Sequence, residues 1–273
     1  MPSRPAAPDH HVGPRDLTAW TSPLGRLLVR CIAPLARRLG PHAALLLLIG
    51  VGGGIAALLT AASAEVYESV VEADGVAALD RPALDLAVSL RQDDLDAFVT
   101  GYTNIGGPIG MPVLAVAVMV LLAVVHRSWT PVILVPAAAF GSLLMTVAGK
   151  DLFGRLRPPL ALAVPPYETS PSFPSGHSLN ALVIAGVVAY LLVLRQHRKR
   201  TRTLTVVVAV LFAATMGLSR VFLGHHWLTD VLVAWTLGIA WLAVVITAHR
   251  LFLTFRLHRE SMRAVTRETA HGA

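Results

Sequence analysis

The chain has 273 residues and a mass of 29.0 kDa, with 55% hydrophobic residues, 14% charged residues, a mean hydropathy of +0.64 and a pI near 10.5. A soluble domain carries roughly 25% charged residues, so this chain lacks the polar surface to face water on all sides. Cys31 is the single cysteine, which excludes an internal disulfide scaffold, and no CxxC or Cys/His cluster points to zinc or redox chemistry.

Stretches free of Asp, Glu, Lys and Arg run from Ala43 to Ala64, Ala97 to His126, Ser128 to Gly149, Thr169 to Leu194, Thr203 to Ser219 and Val231 to His249. Each is long enough to cross a hydrocarbon core of about 30 Å at about 1.5 Å per helical residue. The fold class predicted is therefore all-α, a polytopic membrane bundle of six transmembrane helices with cores at 43–63, 106–125, 131–149, 177–194, 203–220 and 230–250. Residues 1–42 form a cytoplasmic N-terminal segment, 43–250 the membrane domain and 251–273 a cytoplasmic tail. The acidic stretch Glu65 to Asp96 is read as an extramembrane loop, with short interfacial helices around Leu79 to Leu90.

Charge sets the orientation. Six spans put both termini on one side, and that side holds 17 of the 23 Lys and Arg residues, while 12 of the 16 acidic residues lie opposite. Positive residues stay inside, so both termini are expected to be cytoplasmic. The basic runs, Arg195 to Arg202 above all, are flanks of spans; no recognition motif accompanies them, so nucleic acid is not expected as a partner.

Three polar clusters then fall at the extracytoplasmic helix ends, where polar groups in a lipid protein point to function. Lys150 to Pro158 closes the third span, Pro174-Ser175-Gly176-His177 opens the fourth, and Ser219 to Asp230 joins the fifth to the sixth. Lys150, Arg157 and Arg220 supply three cations suited to phosphate oxygens, and an arginine fork can hold two oxygens at once. Ser175 is placed as an N-cap, and Gly176 lets backbone approach a ligand at the positive end of a helix. His226 and Asp230 are four apart and share a helix face, so the carboxylate can hold one ring nitrogen while the other is presented for attack. His177, on a different helix, can protonate a leaving oxygen and then deprotonate water.

Lys150-x6-Arg157-Pro158, Pro174-Ser175-Gly176-His177 and Ser219-Arg220-x5-His226-x3-Asp230 resemble the three signature motifs of the type 2 phosphatidic acid phosphatase (PAP2) or lipid phosphate phosphatase superfamily. The motifs occupy Lys150 to Asp230; Met1 to Gly149 matches only in its pattern of spans. The resemblance implies His226 as nucleophile, Asp230 as its partner and His177 as general acid and base. It implies Lys150, Arg157, Ser175, Gly176 and Arg220 as a phosphate cradle, with Ser219 supporting it, and no metal or other cofactor.

Arg155 falls off the motif spacing and is read as an interfacial anchor; His225 is read as a structural or headgroup contact. Trp227 is read as an interfacial or packing residue in reach of an acyl or prenyl chain, and Asn180, one turn after His177, as a group that can orient it or a headgroup. The function expected is a plasma-membrane enzyme, its active site extracytoplasmic, that removes the terminal phosphate of a membrane lipid through phosphohistidine. Undecaprenyl diphosphate is the first choice of substrate, beside phosphatidate and phosphatidylglycerophosphate. Phosphotransfer to another acceptor, a catalytically silent relative and a transporter are the alternatives; the last lacks titratable groups near the midplane.

Overall fold

The computed structural model describes residues 11–12, 15–40, 43, 45, 49–50, 52–54 and 76–271. Apart from a two-residue ladder pairing His11–Val12 with Arg15–Asp16, the described residues are helices and their connections. In chain order these are α1 (Pro23–Leu39), α2 (Asp80–Ser89), α3 (Asp93–Thr103), α4 (Gly110–His126), α5 (Thr130–Phe153), α6 (Gly176–Arg195), α7 (Lys199–Phe222) and α8 (Leu228–His271).

Local chemistry sets the ends. Asp93, Asp94 and Asp96 fill the first turn of α3, where negative charge meets the positive helix end. Pro131 sits in the first turn of α5, where its missing N–H costs no hydrogen bond, and Gly154 closes that helix at a φ of 53°, a left-handed cap that glycine adopts without a Cβ clash.

Helix α6 is the centre of the bundle, packed against α5, α7 and α8. Leu179, Val183 and Val187 on α6 meet Leu134, Ala138 and Met145 on α5 and Ala234 and Val245 on α8 in one buried core. Trp241 of α8 lies over Gly141 of α5 so closely that a Cβ there would stand 2.1 Å from the ring, and its indole N–H donates to Ala138 O at 2.9 Å. Small residues let helices approach, and a polar contact then locks the pair. Outward faces are apolar in contrast: Val113, Val116, Val120 and Val124 on α4 and Leu204, Val208 and Leu211 on α7 are exposed at helical spacing, as surfaces bordering lipid require.

Four described helices, within Thr130–Phe153, Gly176–Arg195, Lys199–Phe222 and Leu228–Leu257, are long and apolar enough to cross a membrane. A fifth crossing needs α4 together with residues Asp93–Gly106, which meet at a 55° bend. At the start of the expected span over about 106–125, residues 104–109 form a corner, and the helix proper starts at Gly110. The corner needs glycine, since a Cβ on Gly110 would lie 2.3 Å from Asn104 O. Helix α2 matches the short helix expected near Leu79 to Leu90, whereas α3 begins inside the expected loop and continues to Thr103. The predicted first span lies largely outside the described residues, of which Leu45 and Ile49 are buried.

Candidate active site

The turn between α7 and α8 carries His226. His226 N–H donates to Arg220 O at 3.2 Å, so the turn folds back on α7 and buries the imidazole. Its Nδ1 lies 3.4 Å from Asp230 Oδ2 and its Nε2 3.3 Å from Arg157 Nη1. Guanidinium only donates, so Nε2 is the acceptor and Nδ1 carries the proton facing Asp230. Burial, against the opposing pull of Asp230, lowers the His226 pKa to about 4, so the ring is neutral at ordinary pH.

Besides His226, three groups hold Asp230. Ser172 hydroxyl donates to Oδ2 at 2.5 Å, Trp227 N–H donates to Oδ2 at 3.0 Å, and Arg155 pairs with Oδ1. Asp80, at the start of α2, receives Arg155 at 2.8 Å and also accepts from Thr229 N–H at 2.8 Å and Thr229 hydroxyl at 2.7 Å. The expectation that Arg155 is a lipid-facing anchor is therefore corrected. Its side chain is 18% exposed, and it ties two buried carboxylates together.

Around the other side of His226 the cations gather. Arg157 donates to Ser170 O at 2.6 Å and pairs with Glu168 at 3.2 Å; Arg220, 2% exposed, pairs with the other Glu168 oxygen and donates to Thr103 Oγ1 at 3.3 Å. Lys150 reaches Ser170 Oγ at 2.9 Å and Pro171 O at 2.5 Å. A cavity of about 980 Å³ opens onto this cluster, lined at its polar end by Lys150, Gly176, His177, Arg220 and His226. Its other end is apolar, walled by Met111, Ala115, Val116 and Met119 of α4 and Val135, Ala139 and Leu143 of α5. His177 Nε2 faces the Asn104–Gly110 corner, 3.6 Å from where a Cβ on Gly107 would stand.

The three separated motifs thus converge on one cavity mouth. Residues 128–253 match the PAP2 superfamily. The chain is 33% identical over 179 residues to phosphatidylglycerophosphatase B of Bacillus subtilis (strain 168), an alignment covering 64% of this chain and 85% of that protein. The chain belongs to the PAP2 superfamily. The crystal structure of the first transmembrane PAP2 type phosphatidylglycerolphosphate phosphatase from Bacillus subtilis superposes on it with a TM-score of 0.59 at 28% identity, covering 71% of this chain and 92% of that chain. This is a multi-pass membrane PAP2 protein.

Within this PAP2 chain the predicted site residues do not all reach the cavity. Ser175 occupies the N-cap position of α6 but makes no side-chain cap; its hydroxyl pairs with Ser178 Oγ at 2.7 Å, and its N–H donates to Asp230 O at 3.3 Å. Gly176 also packs closely, since a Cβ there would stand 3.1 Å from Thr146 Cγ2, tight enough that the threonine would have to give way slightly. Ser219 lies behind Arg220, donating to Met216 O at 2.7 Å and Thr103 Oγ1 at 3.1 Å. His225 turns away from His226 toward Val164 O at 2.7 Å, a structural contact; burial and then Arg220 lower its pKa to about 4. Asn180 lines the cavity and accepts from Ser142 at 2.6 Å, while Trp227 donates to Leu156 O at 2.9 Å.

Five residues in contact with the site escape the motif reading: Asp80, Thr103, Arg155, Glu168 and Ser172. Glu168 had a signal, being the single charged residue between Arg157 and Arg195. Asp80 and Thr103 had none, because they meet the site across 149 and 117 residues and lie before the segment that matches the superfamily. Arg91 supports the same face from the α2–α3 connection, donating to Phe222 O at 2.8 Å and Leu162 O at 2.6 Å. Among the described residues no group of three or more His, Cys, Asp and Glu side chains is arranged to hold a metal ion.

Proposed function

We propose that this protein hydrolyses the terminal phosphate of a membrane lipid through a phosphohistidine on His226. The observation that carries the reading is the placement of the His226 ring, backed by Asp230 at Nδ1 and with Nε2 beside the Arg157 guanidinium at 3.3 Å, at the mouth of a cavity that is cationic at one end and apolar at the other. A phosphate lodged among Lys150, Arg157, Arg220 and the first amides of α6 would have its non-bridging oxygens neutralised while the lipid tail lies between α4 and α5.

Chemistry follows in two displacements. His226 Nε2 attacks phosphorus as the bond to the lipid oxygen breaks, and His177 gives that oxygen its proton. Asp230 holds the imidazolium that forms at Nδ1. Water then attacks phosphorus, His177 takes its proton, the P–N bond breaks, and inorganic phosphate leaves with His226 neutral again. In this reading the active site faces the extracytoplasmic side, with six spans and cytoplasmic termini, a topology that the distribution of Lys and Arg supports.

The cradle reads a terminal phosphate, a group shared by phosphatidylglycerophosphate, phosphatidate and undecaprenyl diphosphate. Phosphatidylglycerophosphate is placed first for testing because the relative that is 33% identical is named for that activity. The test is phosphate release by the detergent-purified protein from these three lipids and a soluble phosphomonoester, with EDTA present, beside His226→Ala. Release that is lost by at least about 10³-fold in a variant of unchanged helical content is expected. Full activity in His226→Ala would overturn the mechanism, and turnover of the soluble ester alone would overturn the lipid assignment.

A further inference from the structure

The cradle is not open in this structure. Glu168 divides its two carboxylate oxygens between Arg220 and Arg157, the second at 3.2 Å, and Ser170 and Pro171 of the same connection occupy Lys150 and further Arg157 donors. Glu168 therefore stands where the foregoing reading puts the phosphate oxygens, and a phosphate that engages both arginines must first displace it. Its side chain is 30% exposed at the rim of the cavity and sits on a connection rather than in a helix, so it has somewhere to go. Burial alone would raise its carboxyl pKa, but Arg220 and then Arg157 overcome this and hold it well below the usual range, so the group is an anion at any working pH.

We propose that Glu168 is a built-in competitor for the phosphate cradle, which sets the affinity of the site for every anion and keeps abundant weak ones out. The inference rests on the reading of the cradle given above. A site that is competent only when an internal group has left binds each ligand more weakly by the same factor, the inverse of its open fraction. Charge-assisted bonds to two guanidinium groups make the closed form dominant.

The consequence for selectivity is one of threshold. Most membrane phospholipids are phosphodiesters, singly charged and with two non-bridging oxygens, so each offers the arginines little more than the carboxylate already does. Raising every dissociation constant together lifts these weak but concentrated headgroups above their effective concentration. A terminal phosphate, with up to two charges and three free oxygens, still binds. The same competition helps inorganic phosphate to leave after hydrolysis.

The experiment measures inhibition constants for two chemically different anions, inorganic phosphate and phosphatidylglycerol in mixed micelles, on the full-length protein and on Glu168→Gln. The amide keeps the size and acceptor oxygen but loses the charge. Both constants should fall by about the same factor, at least about tenfold if the closed form holds nine-tenths of the population. Glu168→Asp, which keeps the charge but withdraws it by one methylene, loosens the bridge and lowers the same two constants, and it covers the case in which the Gln variant does not fold. A residue that merely shapes the loop would weaken both anions when changed. Unchanged or raised constants in folded Gln or Asp variants overturn the proposal. If the unmodified protein neither binds inorganic phosphate nor releases it from any lipid, the reading of the cradle itself has failed.

Discussion

Arg155 and Arg157 stand two residues apart in one connection, yet they serve opposite sides of His226. Behind the ring, Arg155 is shared by two buried carboxylates, Asp80 and Asp230, with Thr229 filling the remaining contacts. In front, Arg157 and Arg220 share one carboxylate, Glu168, Lys150 rests on Ser170 Oγ and Pro171 O, and Arg157 also meets His226 Nε2. The rear has more fixed negative charge than positive and is closed by protein; the front has an excess of positive charge and opens on the cavity. The same residue type is scaffold on one side and a ligand-ready group on the other, and the local imbalance of charge tells the two apart.

The widest gap between the two sides should appear in turnover. Arg157→Ala or Arg220→Ala removes a donor to the equatorial oxygens, and kcat/KM should fall by about 10²- to 10³-fold with the melting temperature less affected. Arg157→Lys should recover little, since an ammonium cannot present two parallel donors. Equal turnover in Arg157→Ala would remove that residue from the front.

At the rear the expected loss is in stability. Arg155→Met strands two buried carboxylates, a change that costs about 3–5 kcal/mol when a buried ion pair loses one partner. Thermal unfolding in detergent reads it directly. Adding Asp80→Asn should cost less than the sum of the two single changes, because both break the same pair; strict additivity would show that Asp80 and Arg155 act independently.

Smaller still is the effect of pH. His225 and His226 have folded pKa values near 4, below the ordinary value of 6.5, so between those values the unfolded chain binds protons that the folded one does not. Stability therefore rises with pH across that window and is fully penalised below it. Glu168, with its depressed carboxyl, acts in the same direction but in a lower window, losing its contribution as pH falls below the ordinary carboxylate value. The melting temperature should fall between pH 6.5 and pH 4, and His225→Gln with His226→Gln should flatten that fall.

Legibility followed chemical type and sequence distance. His177, His226, Asp230, Lys150, Arg157 and Arg220 stood out because fixed local spacings expose them, and hydrophobic run length marked the later helices of the bundle. Spacing misled at Arg155, since a cation near a helix end looks the same whether it meets lipid or a carboxylate 75 residues away. It misled at Ser175 too, where a cap residue turned its hydroxyl to Ser178 instead. Asp80 was visible only as one acid in an acidic loop, and nothing short of the tertiary fold joins it to Thr229. The corner before α4 was hidden inside an uncharged run, because hydropathy counts apolar residues without asking whether glycines bend their path.

That corner bears on how the pocket is wetted. A helix interrupted beside hydrocarbon leaves backbone groups that lipid cannot satisfy, and such interruptions persist where they border protein or a hydrated cavity. Asn104, Gly106 and Gly107 border the cavity, and Gly107 adjoins His177. An unbroken apolar span in their place would seal that histidine in a dry wall. The kink gives the polar end of the chamber a rim of backbone groups that water can line, next to the imidazole.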